Sequence, residues 1–192
     1  MKRGIGVTVF LMVQTCLAST NYVSQSGNHV SPFLTMANAS TNIQAAVDAA
    51  LDGSTIIVLN GTYTLSSAIS ISSAIKVVSQ NGPAKTIVDG NGVAPCFDLG
   101  NVDCIVSGLT ITNGFNGAGD GGGVICAGDS QIITNCTIAG NIAENGGGII
   151  RGSIYNSIIR ANTALSQGGG CILSKVYGCL IVGNEVTGEG AY

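Results

Sequence analysis

GGGIIRGSIYNSIIRAN at residues 146–162 and GGGCILSKVYGCLIVGN at residues 168–184 are two spellings of one phrase. A third, GGGVICAGDSQIITNCTIAGN, occupies residues 121–141. Aligned on their last residue, the copies place Asn141, Asn162 and Asn184 in one column, at spacings of 21 and 22. Upstream columns hold Ile138, Ile159 and Ile181, then Cys136, Ser157 and Cys179, then Ile133, Ile154 and Val176. The shared phrase is (I/V)-x-(N/G)-(C/S)-x-I-x-x-N, and Val106, Gly108, Leu109 and Ile111 form an earlier, looser copy. A period of about 22 with so few residue types per column is the signature of a solenoid, each period being one coil. Coils of two or three short strands then stack in parallel, so that like lands on like about 4.8 Å apart.

Geometry that recurs dictates residues that recur. Where a coil turns sharply and its neighbours approach, a Cβ has no room and φ is driven positive; glycine tolerates both. Stacked asparagines bond amide to amide up a column, so Asn141, Asn162 and Asn184 are expected to form a buried structural ladder. The isoleucine and cysteine columns fill an interior of constant width. GAGDGGG at residues 117–123 resembles a calcium-binding turn, but that motif must repeat every nine or so residues, and it occurs here once.

Towards the N-terminus, short β-branched stretches follow one another: TIIVL at 55–59, AISI at 68–71, IKVVS at 75–79, TIVDG at 86–90 and CIVSGLTIT at 104–112. Gly, Asn and Ser separate them, without a helical pattern between. The one helix is predicted in TNIQAAVDAALDGS, where Ile43, Ala46, Val47, Ala50 and Leu51 share a face. Thr41 with Gln44 reads as its capping box and Gly53 as its stop. So short an amphipathic helix, over 42–51, must lay its apolar face on something, and the end of a solenoid starting near residue 54 offers the surface. Residues 19–40 read as a polar, unpatterned lead-in.

Lys2 and Arg3, the apolar run Gly4–Val13 and the small residues Cys16 and Ala18 read as a signal peptide over 1–18. That apolar run is about half the length a membrane helix needs, so no transmembrane segment is expected. Cleavage removes Lys2 and Arg3 and takes the net charge from −3 to −5. An acidic chain is a poor match for nucleic acid, whose binding is driven by Lys and Arg neutralising phosphates. Hydrophobic residues at 45% against 9% charged exclude a disordered chain, which needs the opposite balance.

Of seven cysteines, Cys16 leaves with the signal. Cys136 and Cys179 share a column with Ser157 between them, which sets them about 9.6 Å apart. A disulfide requires Cα atoms about 4.4–6.8 Å apart. Both are therefore expected to be buried free thiols acting as small apolar fillers. Cys126 and Cys171 are likewise two repeats apart; only Cys96 and Cys104 could close a bond.

NIQAAVDAALDGSTIIVLNGTYTL at residues 42–65 resembles the opening of right-handed parallel β-helix proteins of the pectin-lyase-like superfamily. In these a capping helix precedes the first strand and a (P/N)-G-T-Y turn. TIVDGNG at 86–92 looks like the I-(I/V)-D-G-x-G phrase found a coil or two later. The glycine triplets and I-x-x-N phrases are similar to the GGA(I/L/V) and F-x-x-N repeats of polymorphic outer-membrane proteins. The resemblance implies an all-β fold, a right-handed parallel β-helix (solenoid) with one short N-terminal capping helix, over residues 41–192. It leaves activity open, because the superfamily spans lyases, hydrolases, adhesins and tailspikes.

An enzyme of this fold gathers acids on one sheet face, but no aligned column here holds two. Asp129, Glu144 and Glu185 fall at unrelated phases, and Arg151 and Arg160 lie outside any acidic column. Asp89, Asp98 and Asp103 sit in the less regular region, where Asp in D-G-N-G reads as a turn former. His29 precedes the solenoid. No catalytic residue, metal site or cofactor is assigned. Tyr155 and Tyr177 point outward on consecutive coils, as a platform for sugar rings or as an aromatic pair bracing the sheet. Sequons at Asn38, Asn60 and Asn135 matter only in a eukaryotic secretory pathway. GEGAY at 188–192 has the phase of the next glycine corner, so the domain is expected to be incomplete at its C-terminus, or covered there by another chain. The resulting expectation is an exported bacterial β-helix with a structural or adhesive role at the cell surface, outer-membrane associated, meeting surface polysaccharide or another protein. The alternative is a fragment or relative of a carbohydrate-active β-helix enzyme, a polysaccharide lyase or glycoside hydrolase.

Overall fold

A computed structural model describes residues 17–188. The signal-peptide reading and the last glycine corner fall almost wholly outside those residues. Within them the chain is a parallel β-solenoid with one helix, Ile43–Ala49. Its strands form a seven-, a six-, a five- and a four-stranded sheet, and each coil contributes one strand to each sheet it crosses.

The seven-stranded sheet runs Thr20–Val23, Thr55–Val58, Lys76–Ser79, Ile105–Ser107, Ile132–Thr134, Ser153–Tyr155 and Lys175–Tyr177. Its inward column Ile56, Val77, Val106, Ile133 and Ile154 is in register from coil to coil and 0% exposed. The six-stranded sheet supplies the facing column, Val88, Ile111, Ile138 and Ile159, also wholly buried. Each such side chain removed from water stabilises by about 1.5–3 kcal/mol, and stacking repeats that gain at every coil.

The number of strands per coil changes along the molecule. Near the N-terminus a coil has three, for example Thr55–Val58, Gly61–Thr64 and Ile69–Ile71. From Phe115–Asp120 onward a fourth appears, continued by Ile142–Asn145, Thr163–Gln167 and Glu185–Val186. The expectation of two or three strands per coil is thus corrected for the repeat region, where each glycine triplet follows this extra strand. In each triplet the first glycine has positive φ: +73° at Gly121, +61° at Gly146, +66° at Gly168. The next two lack room rather than freedom. A Cβ on Gly147 would stand 2.3 Å from the Thr163 carbonyl oxygen, and one on Gly148 2.4 Å from that of Gly170.

The lead-in is also more ordered than its composition suggests. Thr20–Val23 pairs in parallel with Thr55–Val58, so the first rung lies before the helix and not at residue 54. Alternation is hidden there because Asn21 occupies the inward column, fully buried, its amide donating to the Pro32 carbonyl at 2.6 Å. The helix packs Ile43, Ala46 and Val47 against these first strands. Its N-cap is Asn42, whose side chain accepts the Ala45 N–H at 2.8 Å, one residue later than the expected Thr41. Gln44 bonds Asp48 and the Ser70 backbone instead of closing a capping box. Ala50 is already extended, which leaves Leu51 exposed off the helical face.

Candidate functional site

Four columns and corners carry the polar chemistry. The first is inside. Oδ1 of Asn141 accepts the Gly114 N–H at 2.8 Å, that of Asn162 accepts Asn141 N–H at 3.0 Å, and that of Asn184 accepts Asn162 N–H at 3.0 Å. Side-chain amides run the same way, Asn141 to Asn162 and Asn162 to Asn184, each at 2.9 Å. Each Nδ2 also donates to a carbonyl of the preceding coil, Ile111, Ile138 or Ile159. Both amide N–H groups and the Oδ1 of Asn141 and of Asn162, which are fully buried, are spent on holding coils together, which makes the column structural; Asn184, at the last described coil, is only partly buried.

In the second column Cys136 is the buried, free filler expected and Cys179 packs against the core only partly buried, but both also take part in hydrogen bonds. Cys136 Sγ accepts the Leu109 N–H at 3.5 Å, Ser157 Oγ the Cys136 N–H at 3.1 Å, and Cys179 Sγ the Ser157 N–H at 3.4 Å. Cysteine and serine interchange because both offer an acceptor of similar reach at one corner. All six described cysteines are free, Cys96 and Cys104 included; Cys171 and Cys179 are only partly buried. Burial pushes the thiols of Cys104 and Cys136 up to about 11 and that of Cys96 to about 12. None of these three is a thiolate nucleophile near neutrality.

The third column faces outward on the seven-stranded sheet: Ser107, Thr134, Tyr155 and Tyr177. The tyrosine rings are stacked, centroids 4.8 Å apart and 11° from parallel, and Tyr177 is 48% exposed. That separation is the spacing between parallel strands, so the backbone pre-sets the stack. Lys175, two residues before Tyr177, pairs with Asp129 at 2.8 Å on the same side of the molecule.

The acids singled out in the sequence do not come together. Asp89 lies in the six-stranded sheet beside Thr112, Asp98 in the five-stranded sheet between Ser70 and Ile125, and Asp103 in the turn before Ile105. Among the described residues no three His, Cys, Asp or Glu are placed to share a metal ion. His29 is committed to its own loop, accepting the Thr41 N–H at 3.0 Å.

The fourth feature was not anticipated from sequence. Where the six-stranded sheet turns into the four-stranded one, a groove of about 350 Å³ is lined by Asp89, Asn91, Asn113, Phe115 and Ile142 over a floor of glycines. Phe115 and Ile142 are neighbours in register on adjacent strands, 42% and 39% exposed. Asp89 Oδ1 accepts the Asn91 N–H at 2.8 Å and Asn113 Nδ2 at 3.0 Å, which locks the carboxylate. The available signal was the pair N-G-V and N-G-F after two strands of the same sheet, but only the register brings them together.

Geometry and fold define a parallel β-solenoid with outward aromatic and polar columns. Compared with protein-family profiles, curated proteins and solved structures, the chain shows no match.

Proposed function

We propose that this is an exported bacterial β-helix with a structural or adhesive role at the cell surface. Its contact face is the outer side of the seven-stranded sheet, and surface polysaccharide is the ligand class. The observation that carries the reading is the Tyr155–Tyr177 stack, an aromatic surface already ordered on a rigid backbone. Such a platform offers apolar area at little entropic cost on binding. The described strands of that sheet carry no Asp or Glu, and the one carboxylate beside it, Asp129, is held by Lys175, which favours binding over acid–base chemistry on that face. The similarity of the glycine-triplet and I-x-x-N phrases to those of polymorphic outer-membrane proteins, within a pectin-lyase-like solenoid, points the same way.

The test is a polysaccharide array scored for both retention and cleavage, with the Tyr155→Ala/Tyr177→Ala double variant alongside. The expected result is retention without products, weakened at least about tenfold in the double variant. Cleavage would transfer the chain to the carbohydrate-active enzyme reading. Undiminished retention by the double variant would remove the tyrosine face from the proposal.

A further inference from the structure

We propose that the corner groove bounded by Asp89, Asn113, Phe115 and Ile142 binds an ammonium or guanidinium group carried on an apolar stem. A lysine or arginine side chain has this chemistry, as does a free polyamine. The site is separate from the tyrosine face and does not depend on it.

The argument begins with what is left over at the groove. Asp89 is its only charged lining residue. Oδ1 of Asp89 is occupied by Asn91 N–H and Asn113 Nδ2, while Oδ2 accepts nothing from the described residues. No cation neutralises it, since the one ion pair among the described residues is Lys175–Asp129. Asn113 has spent a donor on Asp89, and its own Oδ1 accepts no hydrogen bond from the described residues. The groove therefore offers carboxylate and amide acceptors, with Asn91 adding one further amide. A head group made only of donors matches this surface: three on an ammonium, five on a guanidinium. A neutral sugar would need a donor as well as an acceptor for most hydroxyls.

The apolar wall completes the match. In the column that begins Phe115 and Ile142, the next coils carry Thr163 and Glu185, so the apolar pair is confined to the groove. Phe115 lies across Gly117, where an added Cβ would come within 2.6 Å of the ring. A cation over such a ring is attracted by its quadrupole within about 6 Å, and methylenes of the stem can cover Ile142. A volume of about 350 Å³ suits a single side chain or small molecule. The net charge of −3 favours approach of cations from solution.

The experiment is an amide NMR titration of the ¹⁵N-labelled full chain with N-acetyl-arginine methylamide, N-acetyl-lysine methylamide and spermidine. N-acetyl-norleucine methylamide and methyl β-glucoside serve as the neutral arms. Saturable shifts at Gly92, Gly114 and the Asn113 side chain are expected with the cations, weakening severalfold from about 20 to 200 mM salt. Asp89→Asn keeps an acceptor for the turn, so the fold should persist while affinity drops at least about fivefold; Phe115→Leu should lose about two- to fivefold. Tighter capped arginine than spermidine names a peptide side chain as the source, and the reverse order names a free polyamine. Equal response to norleucine or glucoside, or unchanged affinity in Asp89→Asn, would overturn the assignment. If Asp89→Asn fails to fold by circular dichroism, the neutral arms on the wild-type chain still decide.

Discussion

Residues 55–107 and residues 132–182 build the same stacked sheets by different means. In the first region the rungs are unevenly spaced: Ile56 and Val77 are 21 residues apart, Val77 and Val106 are 29. Its interior mixes shapes, with Tyr63, Phe97 and Leu99 among isoleucines, and its asparagine contact, Asn81 to Asn60, is on the surface. Its open end is closed by the helix. In the second region Ile133, Ile154 and Val176 recur at 21 and 22 residues, and two polar ladders run through the corners. The first region is held by packing of individual side chains, the second by repetition of a few contacts. A defect in the repeat region should therefore propagate to neighbouring coils, whereas one in the first region should stay local.

The largest expected effect tests that contrast at a glycine corner. Gly147→Ala forces a Cβ against two backbone oxygens, from Thr163 and Gly169, at 2.3 and 2.5 Å. Backbone cannot yield as a side-chain tip can, so a loss of about 3 kcal/mol or more is expected in urea denaturation. Gly128→Ala, where a Cβ meets nothing within 4 Å, should be neutral. Equal effects from the two would mean that crowding is not what selects the triplets.

Next in size is the asparagine column. Asn162→Ala removes the acceptor of both the Asn141 N–H and its Nδ2 in the core, along with a donor to the Ile138 carbonyl, and should cost about 1–3 kcal/mol. Asn81→Ala loses one exposed bond to Asn60 and should stay within about 0.5 kcal/mol. Similar losses at both sites would erase the distinction drawn between the two regions.

Alkaline pH gives the third comparison. An unfolded thiol ionises near 8.5, whereas Cys136 in the folded chain holds its proton to about 11 because burial disfavours the thiolate. The contribution is fully present below the unfolded value, and stability falls as pH rises from about 8.5 towards 11. Cys136→Ser retains an acceptor for the Leu109 N–H, as Ser157 does one coil later, but does not titrate there. Its denaturation midpoint should fall less steeply than that of the wild type over that window. Parallel slopes would show that this thiol is not the source.

The smallest effect is a gain. One corner column reads Asn113, Gly140, Ala161 and Gly183, all with φ between +50° and +66°. Alanine is the member without a reason to be there, and the left-handed region costs a residue with a Cβ about 1 kcal/mol or slightly more. Ala161→Gly should raise stability by about that amount, read as a shift in thermal midpoint. No change would indicate that Ala161 relaxes its backbone in solution.

How much was legible beforehand follows the same division. Where coils repeat, each column is sampled several times, and Asn141, Asn162 and Asn184 or Ile138, Ile159 and Ile181 announce their shared position. The rung at Thr20–Val23 occurs once, with a buried asparagine in its inward place, so neither period nor hydropathy marks it. The fourth strand of each repeat coil was hidden differently. Ile142 and Thr163 begin strands whose ladders break register within a few residues, and no alternation builds up.

Sequence alone was sufficient for the parallel solenoid, its repeat, its capping helix and the inward columns, because stacking makes a one-dimensional pattern out of a three-dimensional core. It also separated the cysteines, since coil spacing decides which pairs can meet. Only the tertiary structure decided that the cysteine column accepts backbone hydrogen bonds, that Asp89, Asp98 and Asp103 lie apart, and that Asn113, Phe115 and Ile142 enclose a groove with Asp89. Those features depend on the direction of side chains at corners and on register between coils of unequal length. Neither is encoded in a residue's own neighbours along the chain.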